Sequence, residues 1–446
     1  MKRKEKFISR LDFSEYLSVF SWRYGSKDMR VIFGEKHKYE LWRKIWVALA
    51  KAQFKAKLVS KRELDDLVRN QNKINISRIF EIEKETKHDV VAAIREYAEE
   101  AKIGGGKIHL GATSMDITDN TDILKIKEAL IIIEERLKKV LKEFKEKIEC
   151  YADVPCLGLT HLQPAEPTTV GYRLAFYAQD LLNDLKFLEF VQKNLRGKGM
   201  KGAVGTGASY QRGIEKAVME SLGLKAFLIS SQVYPRKIDY WLLAMLAGIG
   251  SSLAKFSADL RILQSPMLGE WSEPLTEKQV GSSAMPFKRN PINAEKICSL
   301  ARYLLFLTPV ALENNSLSYL ERTLDDSANR RIIIPEAFLT AEEILITAEK
   351  LINGLVINED KIRDNLRQYA PFAAMEMTLI DAVKQGADRQ KAHEAIRKRA
   401  MKAWEAVQRG EKNPLPDEFL KVKKHLGQAP TRARKCAKMI EICLRQ

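Results

Sequence analysis

The segment at residues 281–291 has the residue types needed to abstract a proton from carbon. It reads Gly-Ser-Ser-Ala-Met-Pro-Phe-Lys-Arg-Asn-Pro, and its prolines make it a poor helix. A serine hydroxyl becomes a general base only when its pKa is lowered by many units, which a nearby ammonium group and backbone N–H groups can do. Lys288 follows Ser282 by six residues and can fold back over such a loop. The pattern predicts a catalytic or carboxylate-binding loop, and the alternative is a basic surface loop.

Three of the six histidines lie in polar segments where predicted helices begin or end. His88 is followed by Asp89, whose carboxylate can fix the tautomer of the imidazole. His109 precedes Gly-Ala-Thr-Ser, and His161 lies within Thr-His-Leu-Gln-Pro. Each of the three is a candidate for ligand binding or proton transfer, and the alternative is a purely structural role.

Neither a metal nor a cofactor is expected. No HExxH or comparable two-ligand spacing connects the histidines. The five cysteines are too few for a disulfide framework, and neither Cys150 and Cys156 nor Cys436 and Cys443 have zinc-site spacing. This cysteine usage is typical of a reduced, cytoplasmic compartment.

The glycine-rich stretch at residues 196–209 allows two interpretations. It lacks the G-x-x-x-x-G-K-[ST] pattern and no predicted strand precedes it, so neither a P-loop nor a Rossmann turn fits. It is either a flexible connection between two long helices or a place where the backbone closely approaches a ligand.

Helical periodicity dominates the remainder of the chain and predicts an all-α fold. Apolar residues recur at spacings of three and four along several stretches, namely 123–148, 168–196, 238–263, 294–311 and 336–355. Helices of about 30 residues are about 45 Å long, which suits a central long-helix bundle. The apolar seams predict core packing and burial against partner subunits.

Breaks in this pattern suggest three helical domains. We expect an N-terminal helical domain at 1–112, a central long-helix bundle domain at 113–364 and a basic C-terminal helical domain at 365–446. The central domain carries a candidate mobile segment at 273–291, here called the signature loop.

The chain is strongly basic, with 75 Lys and Arg against 58 Asp and Glu and a net charge of +17 over 446 residues. The last 60 residues hold 16 Lys and Arg against 7 Asp and Glu. This excess fits either nucleic-acid binding or solvated helix faces that attract a small anionic substrate. Because no nucleic-acid recognition motif is present, we expect no specific nucleic-acid partner.

We also expect no membrane partner. The most apolar stretch, residues 241–256, is shorter than the ~20 apolar residues of a membrane span. The N-terminus is basic, but no apolar segment of a secretion signal follows it. These observations predict a cytoplasmic protein.

The loop at 281–291 resembles the GSSxMPxKxNP signature of the fumarase/aspartase superfamily. Seven further segments are similar to that superfamily in the expected order: WRYGSKDM, KHDVVA, IHLGATSMDITDNTD, LTHLQPAEPTTVG, KGAVGTGAS, ERTLDDSANRR and PEAFLTA. Within the superfamily, the contexts of His88 and His109 and the ERTLDDSANRR segment resemble the adenylosuccinate lyase family.

This resemblance implies an all-α, fumarase/aspartase-like fold and a C–N lyase that works without a cofactor. The implied reactions release fumarate from adenylosuccinate, giving AMP, and from the succinylated aminoimidazole carboxamide ribotide (SAICAR), giving AICAR. The alternatives are another fumarate-releasing lyase on the same scaffold and a basic, helical nucleic-acid-binding protein.

The resemblance also assigns catalytic roles. Ser282 matches the general base, and Lys288 would stabilise the serinate and the developing dianion. His161 would be the general acid on the leaving nitrogen, with Glu295 as the partner that holds and charges it.

A larger set of positions matches the substrate ligands of the family. They are Arg23, Tyr24, Lys87, His88, Asp89, His109, Thr113, Ser114, Thr160, Gln232, Ser283, Asn290, Lys296, Arg322, Ser327 and Arg331. Arginine forks suit a substrate with one phosphate and two carboxylates. Lys87 and Lys296 stand where many relatives have arginine, so contacts there are expected to be weaker. The resemblance further implies a homotetramer whose active sites are shared by three subunits.

Overall fold

The computed structural model describes residues 12–275, 278, 280–416 and 425–445. Residues 276, 277 and 279 of the signature loop lie outside the described residues, as do the extreme N-terminus and part of the predicted C-terminal domain. The all-α prediction is confirmed, because helices dominate the described chain. The helices are α1 Val19–Trp22, α2 Lys27–Ile32, α3 Glu35–Lys55, α4 Lys61–Asn70, α5 Ile76–Thr86, α6 Asp89–Glu100, α7 Ser114–Cys150, α8 Val170–Asn194, α9 Ile214–Leu222, α10 Lys237–Leu263, α11 Ile292–Ser316, α12 Asp325–Asn353, α13 Glu359–Ala373, α14 Met375–Lys384, α15 Arg389–Gln408 and α16 Ala429–Arg445.

The chain divides into two compact units, and each unit draws on three separate stretches of sequence. Unit 1 comprises Met1–Glu135, Lys186–Gly248 and Arg302–Glu343. Unit 2 comprises Arg136–Leu185, Ile249–Ala301 and Ile344–Gln446. Each unit contains one part of the long helices α7, α8, α10, α11 and α12. The division into three domains stays a prediction.

The long helices follow the apolar periodicity of the sequence. The residues at spacings of three and four are buried along both α7 and α10. They are Ile123, Ile126, Leu130, Ile133, Leu137, Val140, Phe144 and Ile148 on α7, and Ile238, Leu242, Met245, Ile249, Leu253, Phe256, Leu260 and Leu263 on α10. Among the described residues, α10 is also long and apolar enough to cross a membrane by length and composition alone. However, 56% of its most apolar stretch is buried inside the chain, as in the core helix of a globular protein.

Two short antiparallel strand pairs interrupt the helices of unit 2. Strand β1, Pro155–Thr160, pairs with β2, Gln163–Thr169, and β3, Trp271–Ser272, pairs with β4, Val356–Ile357. Leu157 of β1 packs on α13 against Leu366 and Ala370. The sequence analysis did not predict these strands and began a helix at residue 168, whereas α8 begins at Val170.

Short polar caps fix where the helices of unit 1 begin. Ser60 caps α4 in a reciprocal bond with Glu63, and the imidazole of His88 caps α6. The glycines at 104–106 allow a close approach, since a Cβ on Gly104 would lie 2.5 Å from the carbonyl oxygen of Glu63. These contacts fix the starts of α4 and α6 and hold the glycines that follow α6 against α4.

Candidate active site

Unit 1 contains a cavity of about 450 Å³. Asp89 is the first residue of α6, Ser114 is the first residue of α7 and Ser327 lies in the first turn of α12, so three helix N-termini reach this cavity. Helix N-termini favour anionic ligands because their backbone N–H groups are unpaired. The predicted binding residues that line the cavity are Lys87, His88, Asp89, Ser114, Arg322, Ser327 and Arg331.

The cavity wall carries both signs of charge. Its cations include Lys38 and Lys125, which pair with Glu35 and Asp122. Several of its carboxylates are therefore already engaged by cations of the same wall. An anionic ligand gains most from donors with spare capacity, such as the five N–H groups of an arginine.

His88 and Asp89 are held by the first turn of α6. Nδ1 of His88 accepts from the N–H of Val91 at 3.5 Å, and Asp89 accepts from the N–H of Val90 at 2.7 Å. The carboxylate of Asp89 also pairs with Nη2 of Arg331 at 3.2 Å. Nδ1 of His88 also lies 3.6 Å from Oδ1 of Asp89, which can only accept a hydrogen bond. When the N–H of Val91 donates to Nδ1, the neutral ring of His88 carries its proton on Nε2.

His109 is half-buried beside Trp46. The indole Nε1–H of Trp46 donates to Nδ1 of His109 over 3.1 Å. Burial lowers the pKa of His109 to about 4, the charge of Asp116 opposes this shift, and His88 adds to it. His109 is therefore a neutral imidazole near pH 7.

A buried network of ions lies beside the cavity, and the sequence analysis missed it. Arg236 bridges Asp119, with Nη2–Oδ1 at 3.0 Å, and Asp326, with Nε–Oδ2 at 2.6 Å. Arg330 donates through Nε to Asp239 at 2.7 Å. Because Arg330 precedes Arg331 and Asp326 precedes Ser327, the network fixes the start of α12. Its members are Asp119, Asp122, Tyr234, Arg236, Asp239, Asp326 and Arg330.

The sequence did contain a signal for part of this network. Asp116, Asp119 and Asp122 recur at intervals of three within the segment DITDNTD. That spacing places them on one face of a helix. All three aspartates pair with Lys or Arg side chains.

The glycine-rich stretch is anchored to the start of α7. Lys198 is fully buried and pairs with Asp116, and the same carboxylate accepts from the N–H of Gly202 at 3.1 Å. Tyr210 donates its hydroxyl to Asp116 at 2.8 Å. A Cβ on Gly205 would lie 2.0 Å from the carbonyl oxygen of Ser230. Several buried hydrogen bonds thus hold this stretch, and at Gly205 the backbone closely approaches the chain's own backbone. Both interpretations, the flexible connection and the approach to a ligand, stay predictions.

Residues 281–290 of the signature loop, in unit 2, fold back on themselves. Oγ of Ser282 accepts from the N–H groups of Met285 at 3.1 Å and Ala284 at 3.4 Å. The side-chain amide of Asn290 donates to the carbonyl oxygen of Gly281 at 3.0 Å and closes the loop. Ser283 and Lys288 are exposed on the same loop. Two backbone N–H groups therefore reach the Ser282 hydroxyl, and its role as a base stays a prediction.

His161 and Leu162 form the two-residue turn between β1 and β2. Both have left-handed backbones, with φ of 54° and 58°, and both side chains are exposed. This is the backbone pattern of a type I′ hairpin turn, which usually contains Asn or Gly. Residues with a Cβ pay a steric cost there, and such strain is concentrated at functional sites.

Glu295 does not have the partner that the resemblance implies within the described chain. Its carboxylate lies 4.0 Å from Nη2 of Arg261, an exposed pair in unit 2. His161 lies at the hairpin turn and makes no hydrogen bond to Glu295 among the described residues. The pairing of His161 with Glu295 stays a prediction, because the resemblance implies a site shared by several subunits.

The remaining predicted ligands are placed as follows. Gln232 accepts from Nη1 of Arg322 at 3.0 Å, and the N–H of Thr113 donates to Asp116 at 3.1 Å. Arg23 is exposed beside the ring of Trp22. The carbonyl oxygen of Tyr24 accepts a hydrogen bond from Arg30. Thr160 is the last residue of β1, and Lys296 lies in the first turns of α11. None of these three residues lines the cavity.

The predicted residues thus fall into two groups. Ser282, His161, Lys288 and Glu295 all belong to unit 2, and every residue that lines the cavity belongs to unit 1. Among the described residues, no group of three or more His, Cys, Asp or Glu side chains is arranged to hold a metal ion.

Comparison with known proteins defines the class. A lyase family matches residues 25–304 of the chain. The fold resembles a fumarate lyase from Mesorhizobium sp. BNC1, with a TM-score of 0.83 and 23% identity over 95% of this chain and 99% of that one. It also resembles a 3-carboxy-cis,cis-muconate lactonizing enzyme from Pseudomonas putida, with a TM-score of 0.83 and 22% identity over 96% of this chain and 100% of that one. The chain belongs to this lyase family.

Closer relatives narrow the class. The adenylosuccinate lyase of Schistosoma mansoni is 36% identical over 92% of this chain and 88% of its own length. Those of Saccharomyces cerevisiae and Pyrococcus horikoshii are 37% and 39% identical, over 92% and 86% of this chain and 89% and 86% of their own lengths. Within the lyase family, the chain belongs to the adenylosuccinate lyases.

Proposed function

We propose that the chain eliminates fumarate from adenylosuccinate, leaving AMP, and from SAICAR, leaving AICAR, as a step of purine nucleotide synthesis. The observation that carries this function is the cavity of unit 1, where seven predicted ligands from separate sequence segments meet. Its volume of about 450 Å³ lies within the usual range for small-molecule sites. Helix N-termini and arginine forks together suit a ligand with one phosphate and two carboxylates.

The elimination requires one proton to leave carbon and one to reach nitrogen. Ser282 Oγ removes the proton from the carbon beside the far carboxylate, and the electrons of that C–H bond move into the carboxylate. They then form the C=C bond of fumarate while the C–N bond breaks. His161 gives the leaving nitrogen its proton. Each ~1.36 kcal/mol of stabilisation of the charged intermediate is worth about tenfold in rate.

The signature loop supports Ser282 as the base. Two backbone N–H groups already point at its Oγ, and such donors favour an anionic oxygen over a hydroxyl. Lys288, on the same loop, would add a positive charge beside the serinate and the developing dianion. Ser283 and Asn290 would hold a carboxylate of the succinyl group.

We further propose a homotetramer in which three subunits build each site. The support is indirect: the resemblance implies it, and the exposed, strained turn at His161 is suited to projecting into a neighbouring subunit. In such a site, Glu295 of one subunit would contact His161 of another. A cytoplasmic location without specific nucleic-acid or membrane partners belongs to the same proposal.

Mixing two inactive variants tests the shared site. If Ser282 and His161 of one site come from different subunits, Ser282→Ala and His161→Gln chains that are refolded together should regain about one quarter of wild-type activity by random assembly. Neither variant alone should show it. No regain from a mixture that light scattering shows to be tetrameric would place both residues in one subunit.

The reaction itself is tested with adenylosuccinate and the purified chain. We expect AMP and fumarate in equal amounts by chromatography, and loss of both products in Ser282→Ala. A folded tetramer that leaves adenylosuccinate intact but cleaves argininosuccinate, aspartate or malate would be a different lyase of the same fold. Salt-sensitive retention of DNA or RNA without any lyase activity would contradict the enzyme altogether.

A further inference from the structure

The hydrogen bond between Trp46 and His109 has no part in the chemistry above. Trp46 lies on α3, is 2% exposed and donates from Nε1 to Nδ1 of His109 at 3.1 Å. The two rings meet edge to face, with centroids 6.2 Å apart. Since Nδ1 is an acceptor in this bond, the neutral ring must carry its proton on Nε2.

The backbone around His109 is held from two sides. Gln53, two helical turns further along α3, donates Nε2 to the carbonyl oxygen of Leu110 at 2.8 Å. From the opposite side, Oγ of Ser209 donates to the carbonyl oxygen of Gly111 at 2.7 Å. His109 itself is left-handed, with φ of 65°. Such a backbone is strained for a residue with a Cβ, so it persists only where its surroundings impose it.

The other nitrogen of His109 has no assigned task. None of the described residues forms a hydrogen bond with Nε2. The titratable groups that act on the ring are Asp116 from α7 and His88 from the start of α6. His88 lines the cavity, whereas Asp116 is buried on α7 between the lining residues Met115 and Thr118. A ring held neutral in these surroundings offers a ligand an uncharged hydrogen-bond donor at Nε2.

We propose that Trp46 is the positioning residue for His109: its indole N–H holds the imidazole in the Nε2–H tautomer, so that Nε2 donates to an anionic oxygen of the bound nucleotide. Trp46 acts through His109 and touches no substrate. The nature of the ligand rests on the proposed function, whereas the tautomer is a property of the free protein.

The tautomer can be read directly, without activity. Magic-angle-spinning ¹⁵N spectra of ring-labelled protein should show His109 with an unprotonated Nδ1 and a protonated Nε2 near pH 7, the resonances being assigned by their loss in His109→Gln. Trp46→Phe keeps an aromatic ring but removes the N–H, so we expect a mixture of tautomers. Trp42→Phe is the matched control on the same helix, because the Nε1 of Trp42 is buried without a hydrogen-bond partner in the described chain. It should leave the His109 signals unchanged.

Steady-state kinetics distinguish a positioning role of Trp46 from a purely structural one. Trp46→Phe should raise KM for adenylosuccinate about three- to tenfold, the equivalent of one hydrogen bond, with a smaller change in kcat. In a His109→Gln background the same substitution should add nothing, since the residue through which it acts is gone. A structural role would instead give additive losses.

Three results would overturn the proposal: an unchanged His109 spectrum in Trp46→Phe, an equal change in Trp42→Phe, or additive kinetic losses with His109→Gln. If Trp46→Phe does not fold, replacement of Trp46 by 3-benzothienylalanine, which has nearly the same shape but lacks the N–H, supports the same measurement. Failure of every variant and of the wild type to cleave adenylosuccinate would defeat the proposed function and still leave the tautomer result to decide the role of Trp46.

Discussion

Arg331 and Asp89 form an ion pair at the wall of the unit 1 cavity, with Nη2 and Oδ2 3.2 Å apart. The pair joins the first turn of α6 to α12 although the two residues are far apart in sequence. Arg331 remains 67% exposed, whereas its neighbour Arg330 is 7% exposed and is bound to Asp239. Two adjacent arginines thus serve different purposes, one available to a ligand and the other holding the helix that presents it.

Alanine at each of these two positions should separate binding from stability. Arg331→Ala should change the free energy of unfolding by less than about 1 kcal/mol, as exposed ion pairs do. It should raise KM about 10- to 100-fold through loss of a charge-assisted bond to an anion. Arg330→Ala should cost about 3–5 kcal/mol of stability, because it leaves buried carboxylates uncompensated. Denaturant titration and steady-state kinetics on both variants measure the contrast, and equal destabilisation by the two would contradict it.

Removal of the Ser282 hydroxyl should abolish the chemical step while leaving binding intact. We expect kcat to fall by about 10²- to 10⁴-fold in Ser282→Ala, the usual contribution of a general base. The affinity for adenylosuccinate, measured by calorimetry, should change only a few-fold.

Ser283→Ala is the matched control for that variant, since it removes the neighbouring hydroxyl of the same exposed loop. Its main effect should be on KM, because Ser283 is predicted to bind a carboxylate rather than to move a proton. The assignment of the base to Ser282 fails if the two variants lose kcat equally.

Glu295 provides a test of which partner matters for function. Glu295→Gln should lower kcat by about 10- to 100-fold if its charge is needed by His161 of another subunit. Arg261→Ala removes the only partner that the described chain gives to Glu295, and it should leave kcat within about twofold because an exposed pair contributes little. A larger loss in Arg261→Ala than in Glu295→Gln would show that the pair within the chain is the functional one.

The spacing of apolar residues was enough to predict the long helices but not the β-hairpin that connects two of them. The apolar residues at spacings of three and four predict α7 and α10, because residues at these spacings lie on the same face of a helix. Every residue of the two series is buried in the structure. The hairpin at 155–169 contains Gly158, Pro164 and Pro167, so it has no clear alternation, and it forms because Leu157 packs on α13. Such a contact across some 200 residues cannot be seen in a short window of sequence.

The site was predicted to a similar extent. Of the residues in the cavity wall, His88 was noted for its polar context at a helix start, and the others were assigned through the resemblance to the family. The roles of Asp119 and Arg236 were missed, because a buried ion pair is defined by a partner more than 100 residues away. The pairing of Glu295 with His161 stays a prediction for a related reason, since a motif match carries no information on which copy of the chain supplies each group.

A final prediction concerns His37, which links α3 to α7. Its Nε2 lies 2.7 Å from Glu128, and its Nδ1 lies 3.5 Å from Glu40. The hydrogen bond to Glu128 is the main cause that raises the pKa of His37 above its ordinary value of 6.5. A group whose pKa is raised by folding adds stability that is complete below its unfolded pKa and is lost as the pH rises through its folded pKa.

His37→Gln should therefore destabilise the protein more at about pH 5.5 than at about pH 8.5. Urea midpoints of wild type and variant at the two pH values give the difference directly. His393→Gln, at an exposed position on α15, serves as the control and should show no such dependence on pH. If His37→Gln costs the same stability at both pH values, His37 contributes through packing or a neutral hydrogen bond, and the charged link between α3 and α7 is absent.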